Sequence, residues 1–166
     1  MRIVESGALE GQRVELLDGI ITEMSPQSPE HAAIIQRLSA YLAGAAAQGL
    51  LRVQLPLAVS DDSVPEPDLA VVDTQASRTR HPSTAALVIE VAVTSHELDR
   101  SVKAGLYATA EVATLWIVDV PAGAIEVRTE PRTGSYRRVS VYQAGDVVPA
   151  PLADVAALPV ADLLGG

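Results

Sequence analysis

The sequence predicts an α/β fold in which helices flank a central mixed β-sheet. Leu69–Val72 and Leu87–Val93 are short apolar runs rich in β-branched residues, which is typical of strands buried on both faces of a sheet. Segments with a helical spacing of apolar residues lie between and around such runs, and the first of them starts near Ser28. This alternation indicates helices packed on one sheet.

The length of 166 residues fits one domain with a sizeable core. We expect this single domain to have its core at about residues 13–142, followed by a C-terminal tail at 143–166. Three prolines mark the tail, and Val160–Leu164 within it is a candidate short helix or turn. No internal repeat or low-complexity tract divides the sequence.

The first predicted element is an N-terminal β-hairpin made of Arg13–Leu17 and Ile20–Met24. Asp18-Gly19 joins these two runs, and this dipeptide between β-branched residues is the strongest short signal for a hairpin turn. Glu15 lies in the first strand. It is either a solvent-facing acid on an edge strand or an auxiliary acid of a functional site.

The first helix is expected to begin after Ser28, a suitable N-cap, with Pro29 at the first helical position. Gly49 provides a C-terminal stop. His31 falls in the first turn, where it is either a surface residue or part of a site. The apolar stripe of this helix consists of Ile34, Ile35, Leu38, Tyr41 and Leu42.

The middle of the chain predicts a strand at Leu51–Ser60, bent at Pro56, and a polar loop at Thr74–Ser83. A second helix should run to about Thr109, capped by Thr94 or Ser95. It is followed by three strands, of which the last two form a C-terminal hairpin. These strands are Thr114–Val120, Ile125–Thr129 and Tyr136–Tyr142.

Composition excludes several classes of function. The chain has no cysteine, so disulfides, thiolate metal sites and cysteine nucleophiles are ruled out. No apolar run reaches the roughly 18 residues of a membrane helix, and no signal peptide opens the chain, so we expect a cytoplasmic protein. Glycine-rich phosphate loops and serine-nucleophile elbows are also absent from the sequence.

The formal net charge of −9 argues against broad electrostatic affinity for nucleic acid. The one basic patch comes from the C-terminal hairpin, where it either touches phosphate or solvates an edge strand, and the edge-strand interpretation is favoured. Its members are Arg128, Arg132, Arg137 and Arg138.

Two carboxylates stand where a buried strand does not favour them: Asp68 at the start of one apolar run, and Glu90 inside the next. A buried carboxylate is costly without a partner or a metal. If both acids face one pocket they repel each other unless a cation lies between them, and hard divalent cations prefer oxygen ligands. The pair therefore predicts an acidic metal site.

Lys103 is the only lysine of the chain, since the other eleven of its twelve basic residues are arginines. Asp99, Lys103 and Tyr107 recur at every fourth position of the second predicted helix and so share one of its faces. The simpler interpretation is an Asp–Lys pair on a helix surface, worth about 0.3–0.5 kcal/mol, beside a packed tyrosine. Together with the two carboxylates, a functional ammonium is favoured.

These motifs, in this order, resemble the PD-(D/E)XK nuclease superfamily and, within it, a bacterial family of uncharacterised proteins described as restriction endonucleases. One departure concerns the superfamily lysine, which belongs two residues after the glutamate, where this chain has Ala92. In the resembling family the lysine has moved to the following helix, and Lys103 fits that position. The matching pieces are Glu15-Leu-Leu-Asp-Gly19, Met24-Ser-Pro26, His31, Pro67-Asp68, Glu90-Val91, Ser95, Asp99, Lys103, Tyr107 and Trp116-Ile-Val-Asp119.

The resemblance implies a restriction-endonuclease-like fold and a Mg²⁺- or Mn²⁺-dependent endonuclease that hydrolyses DNA. Asp68, Glu90 and the carbonyl of Val91 would bind the metal, and Lys103 would hold or help deprotonate the attacking water or stabilise charge. Asp99 would orient Lys103. The auxiliary residues would be Glu15, His31, Asp99 and Tyr107.

Two alternatives remain open from the sequence. The chain could be a non-catalytic binding module on an inherited nuclease fold, which the negative charge and Ala92 favour. It could also be a structural dimer in which the acids make salt bridges. For the predicted α/β domain we expect a homodimer, because the strands have apolar edges and the C-terminal hairpin is long.

Overall fold

The computed structural model describes residues 13–24, 26–48, 50–73, 79–93 and 97–165, and the side chains of all of these except residues 97–100. The expected N-caps Thr94 and Ser95, the expected helix stop Gly49, and the side chain of Asp99 lie outside the described part of the chain. Among the described residues, no helix is both long enough and apolar enough to cross a membrane.

The described residues form four helices and ten strands. The helices are α1 (Pro29–Tyr41), α2 (Ala43–Ala47), α3 (Glu97–Thr109) and α4 (Val160–Leu164). The strands are β1 (Val14–Leu17), β2 (Ile20–Glu23), β3 (Leu51–Val53), β4 (Leu69–Val71), β5 (Leu87–Ala92), β6 (Thr114–Asp119), β7 (Ala124–Arg132), β8 (Ser135–Tyr142), β9 (Val147–Val148) and β10 (Leu158–Pro159).

The central sheet has six strands in the order β3-β4-β5-β6-β7-β8. Only β5 and β6 are parallel, and α3 makes the crossover that a parallel pair requires. The other neighbours are antiparallel, so the sheet is mixed. This confirms the predicted α/β fold with a central mixed sheet, and the C-terminal hairpin β7–β8 extends that sheet to its outer edge.

Each face of the sheet carries its own core. Odd-numbered residues of β5, such as Ile89, join a cluster with Leu38 of α1, Trp116 of β6 and Leu163 of α4. Even-numbered residues, such as Val88, join a second cluster built on α3. Because side chains alternate along a strand, Glu90 must share the face that α3 covers.

The N-terminal hairpin is a separate two-stranded sheet. Its turn uses Asp18 at φ 48° and Gly19 at φ 78°, two left-handed conformations that a two-residue hairpin turn requires. The hairpin lies against the segment before β4: Val64 N donates to Leu16 O at 2.7 Å and Gly19 N to Asp62 O at 2.8 Å. The predicted hairpin therefore rests on the chain that leads into β4.

Two expectations differ from the structure in detail. The strand expected over Leu51–Ser60 ends at Val53, because Gln54 has a positive φ of 50° and leaves the extended conformation. The first helix is interrupted at the fully buried Leu42, and α2 continues as a separate short helix. The predicted start of α1 is confirmed, since Ser28 is the N-cap and the Ser28 side chain accepts a hydrogen bond from the amide of His31.

Candidate active site

The acidic residues singled out in the sequence lie at one end of the β4–β5 pair. Leu69 of β4 is opposite Ile89 of β5 in antiparallel register, so the beginning of β4 is beside the end of β5. Asp68 immediately precedes β4, and Glu90 is in the last half of β5. The register thus places both acids at the same end of the β4–β5 pair.

Asp68 is bound from two sides through one oxygen. The amide of Val91 donates to Asp68 Oδ2 at 2.8 Å, and His31 Nε2 is 3.1 Å from the same oxygen. The Val91 bond ties the acid to β5, and the His31 contact ties it to the N-terminal turn of α1. The Asp68 side chain is only 14% exposed, so these contacts form in a largely dry setting.

His31 is held by the start of its own helix. Its amide donates to the Ser28 side chain at 3.1 Å, which fixes the first turn of α1 next to the sheet edge. The hydrogen bond to Asp68 raises the pKa of His31 above its ordinary value, although burial opposes that rise. Its second ring nitrogen, Nδ1, is buried and has no protein partner among the described residues.

Glu90 points toward α3, as strand alternation requires. The phenol of Tyr107 donates to Glu90 Oε1 at 2.6 Å, and Lys103 Nζ lies 3.6 Å from the same oxygen. Burial raises the pKa of Glu90 to about 7, and the nearby charge of Lys103 opposes this shift without cancelling it. The carboxylate form of Glu90 is therefore poorly stabilised by the protein alone.

Tyr107 is fully buried, and burial followed by the proximity of Glu90 raises its pKa well above the ordinary value. The phenol is consequently protonated at neutral pH and acts as the donor in the bond to Glu90.

Lys103 stands between two acids from different elements. Its Nζ is 2.9 Å from Glu15 Oε2 and 3.6 Å from Glu90 Oε1, and its side chain is 13% exposed. Burial alone would lower the pKa of Lys103, but attraction to Glu90 and Glu15 outweighs burial and raises it. The ammonium is therefore charged at neutral pH.

Glu15 reaches this cluster from the hairpin strand β1. Its Oε2 also accepts the amide of Glu66 at 3.2 Å, and the residue is only 9% exposed. Burial raises the pKa of the Glu66 carboxyl, and the nearby Glu15 acts in the same direction. Glu15 is thus not a solvent-facing edge acid, which was one of its two interpretations from the sequence.

Sequence reasoning missed two features of this cluster. The amide of Glu66 binds Glu15, and the amide of Val91 binds Asp68. Backbone donors carry no residue-type signal, so no motif could have indicated them. In the basic patch of the C-terminal hairpin, Arg128 pairs with Glu126, and the Arg137 and Arg138 guanidinium groups lie within 4.0 Å of Glu130.

The donor set bears on whether a divalent metal fits. Within the described residues, no group of three or more His, Cys, Asp or Glu side chains is arranged to hold a metal ion. Mg²⁺ is often bound by only one or two carboxylates together with waters and substrate oxygens, so Asp68 and Glu90 suffice in number. The raised pKa of Glu90 fits as well, because a bound cation would stabilise its anionic form.

Comparison with known proteins gives a family and a fold. A family model described as "Putative restriction endonuclease" matches residues 4–161. A solved chain described as "a putative nuclease belonging to DUF820 from Anabaena variabilis ATCC 29413" is 15% identical with a TM-score of 0.72, over 92% of this chain and 89% of that chain. This second likeness concerns the fold alone. No curated protein matches the sequence. Because the family model spans most of the chain, this protein belongs to the family that the model describes, named Uma2.

Proposed function

We propose that this protein is a divalent-metal-dependent endonuclease that hydrolyses phosphodiester bonds of DNA. The observation that carries the proposal is that two carboxylates and the sole lysine of the chain lie at one end of the β4–β5 pair. Lys103 Nζ is 3.6 Å from Glu90, and Asp68 accepts the amide of Val91, the residue after Glu90. Membership of a restriction-endonuclease family supports the same reaction class.

Asp68 and Glu90 are the proposed metal ligands, with the carbonyl of Val91 as a third. In an extended strand the N–H and C=O of one residue face the same neighbouring strand. The Val91 amide faces Asp68, so the Val91 carbonyl faces the same side of β5. Mg²⁺ or Mn²⁺ bound there would lower the pKa of a water and stabilise charge on the phosphate.

Lys103 would supply a positive charge and N–H donors to such a water and to the phosphate. Its raised pKa makes it a poor proton acceptor, so we assign it the holding of the water and the stabilisation of negative charge on the phosphate rather than general-base catalysis. In the reaction, one P–O bond forms to the water oxygen, one P–O ester bond breaks, and one proton ends on the leaving oxygen.

His31 and Tyr107 are assigned supporting roles. Each hydrogen-bonds one proposed ligand, His31 to Asp68 and Tyr107 to Glu90, and such partners orient metal-binding carboxylates. Asp99, which the family resemblance makes a partner of Lys103, remains a proposal because its side chain lies outside the described residues.

The test is a plasmid-nicking assay with Mn²⁺ or Mg²⁺, run on the natural protein and on Lys103→Ala. We expect metal-dependent nicking that the substitution lowers by roughly 10²–10³-fold, which is typical for loss of one group that stabilises developing charge. Arg137→Ala is the control, because it removes a cation that is 68% exposed and lies on the C-terminal hairpin. Nicking that survives Lys103→Ala unchanged would contradict the assignment.

A second candidate function is a non-catalytic binding module on the same fold. Two observations favour it: the net charge of −9, and the Lys103 ammonium already paired with two acids. Calorimetric titration with Mn²⁺ and nicking of several DNA and RNA substrates separate the two functions. A protein that neither binds metal nor cuts any of them would be the binding module.

The expected homodimer also stays a proposal. Strand β8 is the last strand of the central sheet and exposes Val139 and Val141, which are 52% and 55% accessible. An edge strand with exposed apolar side chains is a ready surface for strand pairing. Sedimentation equilibrium measures the state directly, and Val139→Lys should shift a dimer toward monomer if β8 is the interface.

A further inference from the structure

Helix α3 alone does not fix the position of the Lys103 ammonium, because the lysine side chain is long and flexible. A lysine side chain has many rotamers and loses conformational entropy when it is held in one of them. Lys103 projects from α3, whereas Glu15 and Glu90 come from β1 and β5. Side chains from other elements must therefore hold the Lys103 ammonium at this end of the β4–β5 pair.

Glu15 makes the closer of the two contacts that do so. The distance from Lys103 Nζ is 2.9 Å to Glu15 and 3.6 Å to Glu90. Both acid side chains are largely buried, at 8% and 18% exposure, so their attraction for the ammonium is screened less than at a surface. Glu90 attracts the ammonium electrostatically, but the contact at hydrogen-bonding distance comes from Glu15 of the hairpin.

Glu15 is itself fixed relative to the metal ligands. Its Oε2 accepts the amide of Glu66, two residues before Asp68. The neighbouring Leu16 pairs with Val64, which adds a backbone bridge between β1 and the same segment. The hairpin and the segment leading to Asp68 therefore form one unit, and Glu15 presents a carboxylate from that unit to α3.

We infer that Glu15 is a positioning residue that holds the ammonium of Lys103 beside Glu90. The inference deepens the proposed function and rests on it only for its catalytic consequence, since the holding contact itself does not depend on the reaction. The N-terminal hairpin then has a role in the site: it brings an anion from a separate sheet to fix a cation from a helix.

The experiment uses the single lysine as a reporter. Protein made with lysine labelled with ¹⁵N at Nζ gives one side-chain ammonium signal, because Lys103 is the only lysine. We expect a slowly exchanging, well-defined signal in the natural protein. In Glu15→Gln this signal should move to the position of a free lysine side chain, or broaden through fast exchange with water.

The substitution is chosen to keep the fold. Glutamine retains an oxygen that accepts the Glu66 amide, so only the charge toward Lys103 is lost. Glu23→Gln is the matched control: it makes the same change on the same hairpin at an exposed position and should leave the signal unchanged. Near-ultraviolet circular dichroism of the buried Trp116 checks that all three proteins are folded.

Nicking is measured in parallel. Glu15→Gln should lower the rate at saturating DNA by roughly 10–100-fold with little change in KM, because a misplaced group costs rate and not ground-state binding. An unchanged ammonium signal in Glu15→Gln overturns the inference, and so does natural-rate nicking by that variant. If the natural protein cuts nothing while the signal still responds to Glu15→Gln, the proposed function fails and the holding contact stands.

Discussion

The two faces of the central sheet are built from different chemistry. The face under α1 and α4 is closed by large apolar side chains, with Leu38 and Trp116 completely buried. The face under α3 is packed mostly with small and branched residues such as Ala104 and Val88, and its end holds Glu90 bonded to Tyr107 and near Lys103. Among the described residues, this second face combines apolar packing with a largely buried acid and a largely buried ammonium.

The comparison separates stability from chemistry. Apolar burial contributes to stability at any pH, whereas Glu90 is held in a setting that disfavours its own charge. A protein tolerates such a site when the charge is needed for binding or catalysis. Changes to the charged groups at the end of the α3 face should therefore affect metal binding, activity and pH response, and changes to the apolar core under α1 and α4 should affect stability alone.

The largest effect is expected from Asp68→Asn. Losing one anionic ligand should lower metal-dependent nicking by roughly 10³-fold, equivalent to about 4 kcal/mol of transition-state stabilisation. Asp162→Asn, the same change at an exposed position of α4, is the control and should leave nicking unchanged. Equal nicking by the two variants would show that Asp68 does not bind the metal.

On the other face, Leu38→Ala should cost about 3 kcal/mol of unfolding free energy, because it leaves a cavity at a completely buried position. Urea unfolding measures this cost, and calorimetric titration should show unchanged Mn²⁺ affinity below the unfolding transition. Ile20→Ala, at a side chain that is 68% exposed, should cost under about 0.5 kcal/mol. A large loss of Mn²⁺ affinity in Leu38→Ala would break the separation of the two faces.

The pH dependence of metal-free stability should sharpen the contrast further. Folding raises the pKa of Glu90 from its ordinary 4.5 to about 7, so the folded state binds more protons between these values. Stability from this group is complete below pH 4.5 and is lost as pH rises through about 7, roughly 3 kcal/mol in total. His31, whose pKa is also raised, acts in the same direction.

Glu90→Gln isolates the contribution of Glu90, because glutamine does not titrate. Urea unfolding in EDTA at several pH values between 4.5 and 8 should show a shallower fall in stability for this variant than for the natural protein. Glu23→Gln, at an exposed position, should keep the natural slope. Parallel curves for natural protein and Glu90→Gln would mean that Glu90 ionises normally.

The smallest effect is expected from Tyr107→Phe. The substitution keeps the ring in the core and removes the donor to Glu90, so it should cost about 1–2 kcal/mol of unfolding free energy. Mn²⁺ affinity should fall about tenfold, the lower end of the range for a partner that orients a ligand. Tyr142→Phe, on the half-buried edge strand β8, is the matched control and should leave Mn²⁺ affinity as it is.

Much of the fold could be predicted because local sequence patterns specify it. Asp18-Gly19 defines the hairpin turn, Ser28 caps α1, and the apolar run Leu87–Val93 contains β5. Each of these signals acts over a few residues, where turn conformation, capping and burial are decided by residue type. The length of β3 escaped prediction because it depends on a positive φ at Gln54, which glutamine does not favour.

By itself the sequence determined the kinds of chemical group available: two acids in apolar strands, one lysine, one acid in a hairpin, and no thiol. Only the tertiary structure decided how these groups pair. Lys103 contacts Glu15, 88 positions away along the chain, and the amide of Val91 binds Asp68. Strand register and helix packing set such distances, because they bring together groups that lie on elements far apart in the chain.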